Sequence, residues 1–482
     1  MAKSASHLVF ICALAVAMAK SATAQVAPPS LINPVPLIYQ PLMPTSVSPG
    51  GQEFKLNVIG TGLTASSVVN WNGVALPSTL VNRSSISAVV AAGLVASAGT
   101  ASITVSNPPP GGGTSNVEYL PVANTPFFAP TFSRAYLTTP YAGVCALVVT
   151  DFNADGHPDI AAISSFNFVF VLVGNGDGTF QPAANYPVGN GPNSVVAADF
   201  NGDGTLDLAV VNGSDGTVSV LLGNGDGTFA PQKKYAAGSS PGTLLAADVN
   251  GDGKLDLIVS LAPAPPPKGM ISVLLGNGDG TFEKGAHYDT GGENVDTMTA
   301  GDFNNDGIVD VVAFDHNIDS ASVLLGIGEG GFGAPAFFKF PAQAVFESAL
   351  PIDFNGDGNL DLAVTWGWSR PQAGIFVMLG NGNGAFPSIH NFISGFSPMG
   401  LGAGDFNADG VLDLAVTDWN AEDFAVLLGE HQDTGFDPPL GYSTGTTPEG
   451  LALGDFNGDG KLDAAIALPN GGYSSIAIFL QQ

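Results

Sequence analysis

Residues Asp199–Asp207, DFNGDGTLD, hold the motif that decides the fold of this 482-residue chain. The nine-residue pattern DxNxDGxxD occurs seven times, beginning at Asp151, Asp199, Asp248, Asp302, Asp353, Asp405 and Asp455. Successive copies are 48, 49, 54, 51, 52 and 50 residues apart. A fixed period of about 50 residues indicates a repeat architecture in which each repeat is one supersecondary unit.

Each copy of the motif places side-chain oxygens at its first, third, fifth and ninth positions. In the second copy these are Asp199, Asn201, Asp203 and Asp207, with Gly204 sixth, where the backbone must turn sharply. Calcium accepts six to eight oxygen ligands, whereas zinc prefers nitrogen or sulfur. We therefore expect up to seven Ca²⁺ ions, one per repeat. The alternative is that Asp, Asn and Gly only form turns, but three convergent carboxylates without a cation would repel one another.

The predicted metal ligands include the carbonyl of the seventh residue of each copy. They are Asp151, Asn153, Asp155, His157, Asp159, Asp199, Asn201, Asp203, Thr205, Asp207, Asp248, Asn250, Asp252, Lys254, Asp256, Asp302, Asn304, Asp306, Ile308, Asp310, Asp353, Asn355, Asp357, Asn359, Asp361, Asp405, Asn407, Asp409, Val411, Asp413, Asp455, Asn457, Asp459, Lys461 and Asp463. An EF-hand would need a glutamate at the twelfth position and flanking helices. The twelfth positions here are apolar, so the motif predicts a loop between two strands.

Four strands are predicted within each period. In the second repeat they are SVVAADF, DLAVVN, TVSVLLG and APQKKYAAG, separated by the motif, a turn and GNGDGTF. Four strands repeated around an axis form a β-propeller blade, so seven repeats predict a seven-bladed, all-β propeller. The last repeat ends after its third strand. Residues 128–140 match the fourth-strand segments, and we expect them to complete the last blade.

A section of different character precedes the repeats. Residues 37–122 lack the aspartate motif and show short alternating segments between turn signals, which predicts a small β-sandwich. The runs PTSVSPGGQEFKLNVIGTGL, VVNWNGVALPSTLV and ITVSNPPPGGGTSN resemble the IPT/TIG family of immunoglobulin-like domains, which implies an immunoglobulin-like sandwich. That resemblance implies a spacer role and places Trp71 in the core or at an edge of the sandwich.

The repeats resemble the FG-GAP or VCBS family of propellers, which is related to the N-terminal head of integrin α chains. The resemblance is carried by DFNGDGxLDL followed by VLLGNGDGTF over residues 123–482. It implies a calcium-binding recognition or adhesion module. All seven motifs match the family's calcium loop, whereas the GNGDGTF turn changes to GIGEGGF, GNGNGAF and GEHQDTGF in later repeats.

Charge and composition limit the partners and the location. The formal charge is −29, and the seven motifs hold 21 of the 42 acidic residues. A negative surface argues against nucleic acid or an anionic membrane as partner. We expect an extracellular protein or glycan partner and a monomer without integral membrane contact. A basic start, an apolar run from Leu8 to Ala19 and small residues up to Ala24 predict a signal peptide over residues 1–24. A retained anchor is the alternative, but the run is too short to span a bilayer.

A proline-rich linker is predicted over residues 25–36, and the mature protein would be secreted or extracytoplasmic, released or held at the cell surface. It would keep one cysteine, Cys145, and so no internal disulfide.

The face opposite the motifs is predicted to carry the turns between second and third strands. Aromatic and basic residues fall in these turns, and they are the candidate ligand-binding residues: Trp366, Trp368, Arg370, Trp419 and Tyr473. Exposed aromatics on a rigid scaffold often mark recognition sites. The alternative is that these rings cap the spaces between blades.

No catalytic residues are predicted. The chain has no HExxH motif, and GSSPG at Gly238–Gly242 lies between two strands rather than between a strand and a helix. A polysaccharide-degrading enzyme that uses carboxylates at the central channel is the alternative from another class, because the fold does not fix the function. A purely structural surface protein is the third possibility.

Overall fold

The computed structural model shows why each repeat becomes four strands. It describes residues 33–123, 129–139, 143–262, 268–340, 344–367, 373–395, 397–430, 435–470 and 475–482. The predicted signal peptide, the first eight residues of the predicted linker, Trp368, Arg370 and Tyr473 lie outside these ranges. The described residues are almost wholly strands and turns, with one short 3₁₀ helix, Ala92–Val95.

The seven motif repeats form seven sets of antiparallel strands. In chain order they are β11 Val144–Thr150, β12 Asp159–Ser164, β13 Phe168–Leu172 and β14 Ala184–Pro187; β15 Pro192–Ala198, β16 Asp207–Asn212, β17 Thr217–Leu221 and β18 Lys233–Ala236; β19 Pro241–Ala247, β20 Asp256–Leu261, β21 Met270–Leu274 and β22 Ala286–Asp289; β23 Thr297–Gly301, β24 Asp310–Asp315, β25 Ser320–Leu324 and β26 Ala336–Lys339; β27 Phe346–Ile352, β28 Asp361–Trp366, β29 Ala373–Leu379 and β30 Ser388–Gly395; β31 Pro398–Gly404, β32 Asp413–Asp418, β33 Asp423–Leu427 and β34 Leu440–Ser443; and β35 Leu451–Gly454, β36 Asp463–Ala467 and β37 Ile476–Gln481.

The second strand of each repeat is buried along its whole length. Strands β12, β16 and β20 show no exposed or half-exposed residue. Their sequences are continuous apolar runs rich in valine, leucine and isoleucine, as strands covered on both faces require. The predicted four strands of the second repeat and the all-β propeller class are therefore confirmed.

The strand that precedes the repeats completes the last sheet. Strand β10, Phe132–Leu137, pairs antiparallel with β37 over six residues, from Phe132 opposite Gln481 to Leu137 opposite Ile476. The first strands of neighbouring repeats contact one another in chain order, and β35 contacts β11. The prediction that residues 128–140 supply the missing fourth strand is confirmed for the described part of that segment.

The N-terminal section has a hydrophobic core of its own. Its strands are β1 Leu37–Met43, β2 Phe54–Thr61, β3 Val68–Trp71, β4 Val74–Ala75, β5 Ser78–Asn82, β6 Ser85–Val90, β7 Gly99–Asn107, β8 Gly113–Thr114 and β9 Glu118–Val122. One layer is β1-β2-β6-β5, and the other is β4-β3-β7-β8 with β9 beside β7. Trp71 is buried between them and meets Phe54 edge-to-face at 6.3 Å. We call this section the N-terminal sandwich.

The N-terminal sandwich is joined to the fifth repeat. Gln40 in β1 forms a parallel bridge with Ile352 in β27, so the sheet of the fifth repeat continues into the sandwich. Asn33–Pro36, which the sequence assigns to an extended linker, is packed instead, with Val35 and Pro36 buried. The amide of Val35 donates to a carboxylate of the third repeat, Asp248, at 3.0 Å. These residues are part of an interface between the sandwich and the repeats.

Candidate metal centres

The seven motif loops share one hydrogen-bond frame. In the second loop, Asp199 Oδ2 accepts the amide of Gly204 at 2.9 Å, and Asp199 Oδ1 accepts the amide of Asp203 at 3.3 Å. The fifth-position carboxylate, Asp203, in turn accepts the amide of Thr205 at 2.8 Å. The same three bonds recur in every other loop. Each loop thus holds its first and fifth carboxylates in the same places.

The third-position asparagine bridges the loop. In the second loop, Asn201 Oδ1 accepts the amide of Asp203 at 2.9 Å, and Asn201 Nδ2 donates to Asp203 Oδ2 at 2.8 Å. The asparagine therefore ties the backbone amide and the carboxylate of the fifth position together.

The ninth-position aspartate has a role that the motif alone does not reveal. Asp207 is fully buried, and its Oδ2 accepts the amide of Phe200 at 2.9 Å while its Oδ1 accepts the amide of Gly223 at 2.7 Å. Because Gly223 follows the third strand, this one carboxylate ties the start of the second strand to both the loop and the end of the third. The pair of bonds is present in all seven repeats, with Gln481 in place of the glycine in the last.

Burial raises the pKa of the ninth-position aspartates. It raises the pKa of the ninth-position groups to about 6 for Asp159 and Asp207, about 7 for Asp310 and Asp361, and about 8 for Asp256, Asp413 and Asp463. The neighbouring first- and fifth-position carboxylates add to the rise, whereas the two backbone amides oppose it. Negative charge in these loops is therefore costly unless a positive charge accompanies it.

The donors in each loop are of the kind that calcium prefers, because all are hard oxygens. As they stand, no three His, Cys, Asp or Glu side chains in the described part of the chain are grouped to hold a metal ion. The ninth carboxylate accepts two backbone amides, and each of its oxygens retains a further lone pair.

The GNGDGTF turns serve the packing between repeats. Asp226 Oδ1 accepts both the amide and the hydroxyl of Thr228, so the acidic side chain stays within its own turn. In several repeats the phenylalanine that ends the turn meets the second-position phenylalanine of the preceding repeat, as in the edge-to-face pair Phe152–Phe229 at 5.3 Å. The third repeat has Val249 at the second position instead. Phe456 and Phe180 form the same pair between the last repeat and the first. These contacts stabilise the packing between neighbouring repeats.

The opposite end of the repeats carries the turns between second and third strands, together with the connections between repeats. In the second repeat, Asp215 accepts the backbone and side-chain amides of Asn190, which lies in the connection from the first repeat, at 3.1 and 2.7 Å. The two kinds of segment therefore share one face, as expected from the strand order.

The predicted aromatic residues of that face separate into different environments. Trp366 is the last residue of β28 and is buried, with its ring stacked on Phe376 at 4.8 Å and its Nε1 donating to Asn391 at 3.0 Å. The expectation that Trp366 lies on an exposed loop is wrong, because its side chain packs into the core. Trp419 is half-buried after β32. Trp368, Arg370 and Tyr473 lie outside the described residues.

An exposed aromatic that sequence reasoning missed lies on the same face. Phe166 is in the turn between β12 and β13 and is 54% exposed. The run ISSFNFVFV places Phe166 at the tip of a two-strand hairpin, which could have predicted its exposure. It was missed because phenylalanines also alternate along the strand that follows, so Phe166 resembled another strand residue.

Carboxylates outside the motif loops form a second feature missed in the sequence. Glu347 in β27 and Glu449 just before β35 are half-buried near the starts of first strands. Burial raises the pKa of each to about 7, and for Glu347 the nearby Asp296 and Glu449 add to the rise. These groups lie at the opposite end of the first strands from the motif loops.

Comparison with known families decides the classification. The FG-GAP-like repeat pattern matches residues 151–210, 199–259, 261–313, 302–364 and 353–416, which together make up more than half of the chain. The chain belongs to the FG-GAP-like repeat family. Six of the seven motif loops of this FG-GAP-like protein fall within the matched residues, and the seventh, Asp455–Asp463, lies beyond them. The IPT/TIG assignment and the likeness to integrin α chains stay predictions.

Among solved structures, one similar to this chain is BBS1N in complex with ARL6DN, at 11% identity over 74% of this chain and 98% of that chain, with a TM-score of 0.49. An auxiliary nutrient binding protein from Bacteroides ovatus is 11% identical over 94% and 100% of the two chains, with a TM-score of 0.42. A functionally unknown protein from Desulfotomaculum acetoxidans is 12% identical over 78% and 100%, with a TM-score of 0.46. At these values the likeness carries no argument about function. No curated protein matches the sequence.

Proposed function

We propose that this FG-GAP-like protein is a secreted, calcium-binding β-propeller that acts as a recognition or adhesion module for an extracellular protein or glycan. The observation that carries the calcium assignment is the hydrogen-bond frame that recurs in all seven motif loops. It holds two carboxylates and an amide oxygen in the same relative places seven times. Turn propensity explains one such loop, but it does not explain seven copies with buried, mutually repelling carboxylates.

Within each loop, the cation would be held by the side chains of the first, third, fifth and ninth positions and by the carbonyl of the seventh. The bound ion would supply positive charge where burial disfavours three carboxylates. Metal binding then becomes part of folding stability, because the folded loop binds the ion and the unfolded chain does not. Calcium suits this donor set better than magnesium, which demands a tighter octahedral shell.

The calcium assignment is tested by thermal unfolding of the mature protein in calcium, in magnesium and in chelator. An ion at a hundredfold excess over its dissociation constant stabilises the fold by about 2.7 kcal/mol per independent site. Several filled loops should therefore raise the unfolding temperature strongly in calcium, and much less in magnesium. Unfolding temperatures that are equal in calcium and in chelator would refute the assignment.

The recognition surface is proposed on the face opposite the motif loops. It is supported by two aromatic side chains in turns between second and third strands, the exposed Phe166 and the half-buried Trp419. Aromatic side chains on rigid turns stack on sugars and anchor protein partners. Trp366 is excluded from this proposal because it is buried.

A glycan array and capture of proteins from the cell surface test this surface with the wild type and with Phe166→Ala and Trp419→Ala. The matched control is Phe337→Ala, since Phe337 is also exposed but lies on the outer strand β26. The expected result is binding that both turn variants weaken and the control retains. Binding that survives both turn variants would place the recognition site elsewhere.

A polysaccharide-degrading enzyme is the second candidate, and one observation favours it. Burial raises the pKa of Glu347 and of Glu449 to about 7, and the charge of Glu449 adds to the rise at Glu347. A pKa near 7 is suited to acid and base catalysis near neutral pH. Turnover of a polysaccharide that Glu347→Gln and Glu449→Gln both abolish would establish an enzyme. Turnover unaffected by either substitution would remove these residues from consideration.

The secreted location rests on the predicted signal peptide of residues 1–24. None of the described segments is a helix with the length and apolar character needed to cross a membrane. Sequencing of the N-terminus of the exported protein tests the proposal, with Gln25 expected as the first residue.

A further inference from the structure

The N-terminal sandwich lies on the face that carries the motif loops. Its residues contact the loops of the third, fourth, fifth and sixth repeats. The hydrogen bonds are Val35 amide to Asp248 Oδ2 at 3.0 Å, Arg83 Nη1 to the Asp306 carbonyl at 3.3 Å, Ser84 hydroxyl to Asn305 Oδ1 at 3.4 Å, Asp353 amide to the Gln40 carbonyl at 3.3 Å, and Thr45 hydroxyl to Asp405 Oδ2 at 3.3 Å. Two of these bonds end on a first-position carboxylate, which is a predicted metal ligand.

The seventh loop is covered as well. A Cβ added at its sixth residue, Gly460, would lie 2.7 Å from the Gly99 amide nitrogen and 2.8 Å from the Val122 carbonyl oxygen. The equivalent glycine of the second loop, Gly204, has no atom within 4 Å of such a Cβ. Both residues have a φ of +86°, so the two loops have the same conformation and differ in what lies above them.

Burial of the first-position aspartates divides the loops in the same way. In the third to seventh loops these side chains are buried, with exposures between 2% and 7%: Asp248, Asp302, Asp353, Asp405 and Asp455. In the first and second loops, Asp151 and Asp199 are only half-buried. The first-position carboxylates of five loops are thus buried at the N-terminal sandwich, and we call these the covered loops, although residues 355–358 of the fifth loop stay exposed. The first-position carboxylates of the first and second loops are partly open to solvent.

We propose that the N-terminal sandwich is a cap whose docking is coupled to calcium in the five covered loops, while the loops Asp151–Asp159 and Asp199–Asp207 exchange their ions freely. The inference rests on the calcium sites proposed above. A carboxylate removed from water is costly unless an opposite charge accompanies it. A cation in a covered loop therefore favours docking, and by linkage docking retains the cation. The sandwich is then a functional part of the propeller face rather than a spacer.

Two measurements on the full-length mature chain test the coupling. The first is hydrogen exchange of peptides from Asn33–Met43 and Glu118–Val122, with calcium and with chelator. The second is the rate at which calcium leaves the protein when a fluorescent chelator is added. Docking coupled to calcium predicts lower protection of both peptides in chelator. It also predicts two kinetic classes, in which the ions of the first and second loops leave quickly and the ions of the covered loops leave slowly, because the docked sandwich buries the first-position carboxylates of the covered loops.

Gly460→Ala and Gly204→Ala form a matched pair for these measurements. Both place a Cβ on a residue with the same positive φ at the same motif position, so both carry the same backbone strain. Only Gly460→Ala drives that Cβ into the sandwich. Gly460→Ala should lower the protection of Glu118–Val122 and shorten the slow release phase, whereas Gly204→Ala should leave both as in the wild type.

Thr45→Val is a milder second variant in case Gly460→Ala does not fold. It removes the hydroxyl that donates to Asp405 with little change of side-chain shape. We expect it to shorten the slow phase of calcium release by less than Gly460→Ala does. Uniformly fast release of all ions, or protection of the two peptides that is equal with calcium and with chelator, would overturn the coupling and leave the calcium sites intact. A protein that binds no calcium would overturn both proposals.

Discussion

Substitution of Gly223 tests the tie between motif loop and third strand without altering a metal ligand or a charge. Its amide donates to the buried Asp207 at 2.7 Å, and a Cβ there would overlap the carbonyl oxygen of Leu206. The overlap is with backbone, which cannot rotate away as a side chain would. Gly223→Ala must therefore push the end of the third strand away from the loop.

The magnitude follows from two contributions. Overpacking in a tight site costs about 1–3 kcal/mol. A weakened hydrogen bond to a charged acceptor adds about 1.5–3 kcal/mol. We expect Gly223→Ala to lower the free energy of unfolding by about 2.5–6 kcal/mol, as the sum of these two effects.

Gly333→Ala is the matched control for Gly223→Ala. The control residue has an ordinary backbone conformation, and its nearest neighbour to an added Cβ is the Leu325 carbonyl oxygen at 3.5 Å. Its counterpart in the second repeat is already alanine, Ala230, with the same backbone hydrogen bond. Gly333→Ala should be neutral or stabilise the fold by about 0.4–1 kcal/mol.

Urea unfolding at saturating calcium, followed by circular dichroism, measures both variants. The number of ions bound per chain is measured in parallel, because a displaced Asp207 should also weaken the second loop. An unfolding midpoint of Gly223→Ala within error of the wild type, or equal to that of Gly333→Ala, would refute the proposed role of the ninth aspartate.

Three further predictions follow from the burial of particular side chains. Trp366→Ala should lower the free energy of unfolding, measured in urea, by about 3–5 kcal/mol because a large buried ring is lost. Trp419→Ala should lower it by less, because Trp419 is only half-buried. Equal losses of unfolding free energy in the two variants would contradict the placement of the two rings. Burial raises the pKa of the ninth-position carboxyls to between about 6 and about 8, above the ordinary value of about 4 in the unfolded chain. The protein in chelator is therefore more stable at low pH, and the urea concentration at its unfolding midpoint should decrease as the pH is raised from about 5 to about 8. Calcium affinity should increase over the same pH window. A midpoint that increases with pH would contradict the burial of these carboxyls. Burial raises the pKa of the Cys145 thiol to about 12, so an aromatic disulfide reagent at pH 8 should label it rapidly only after unfolding; rapid labelling of the folded protein would show that it is accessible.

The repeat fold is well predicted from the sequence because the same pattern occurs seven times along the chain. The period of the motif, the apolar second strands and the match of residues 128–140 to fourth strands are all local patterns, and the structure contains them. The relation of the N-terminal sandwich to the repeats could not be predicted in this way. It depends on single contacts such as Val35 with Asp248, residues 213 positions apart, that leave no periodic trace.

The candidate sites were predictable in composition but not in detail. Motif spacing locates the oxygen donors, yet it does not show that the ninth aspartate accepts the amide of Gly223, because that partner is set by the approach of the third strand. Trp366 shows the opposite error. The run WGWSRPQAG that begins at Trp366 predicts a turn, whereas Trp366 is the last residue of β28 and pairs with Phe346 and Gly374. Its buried ring stacks on Phe376.

Native mass spectrometry of the mature protein, before and after chelation, is the most direct test of a propeller built on calcium. The seven recurrent loop frames predict about seven calcium ions per chain, fewer after brief chelation as the two open loops empty first, and none after prolonged chelation. A chain that carries no calcium at millimolar calcium would contradict the calcium sites. The 21 motif aspartates would then have to be explained as turn and backbone-binding residues alone.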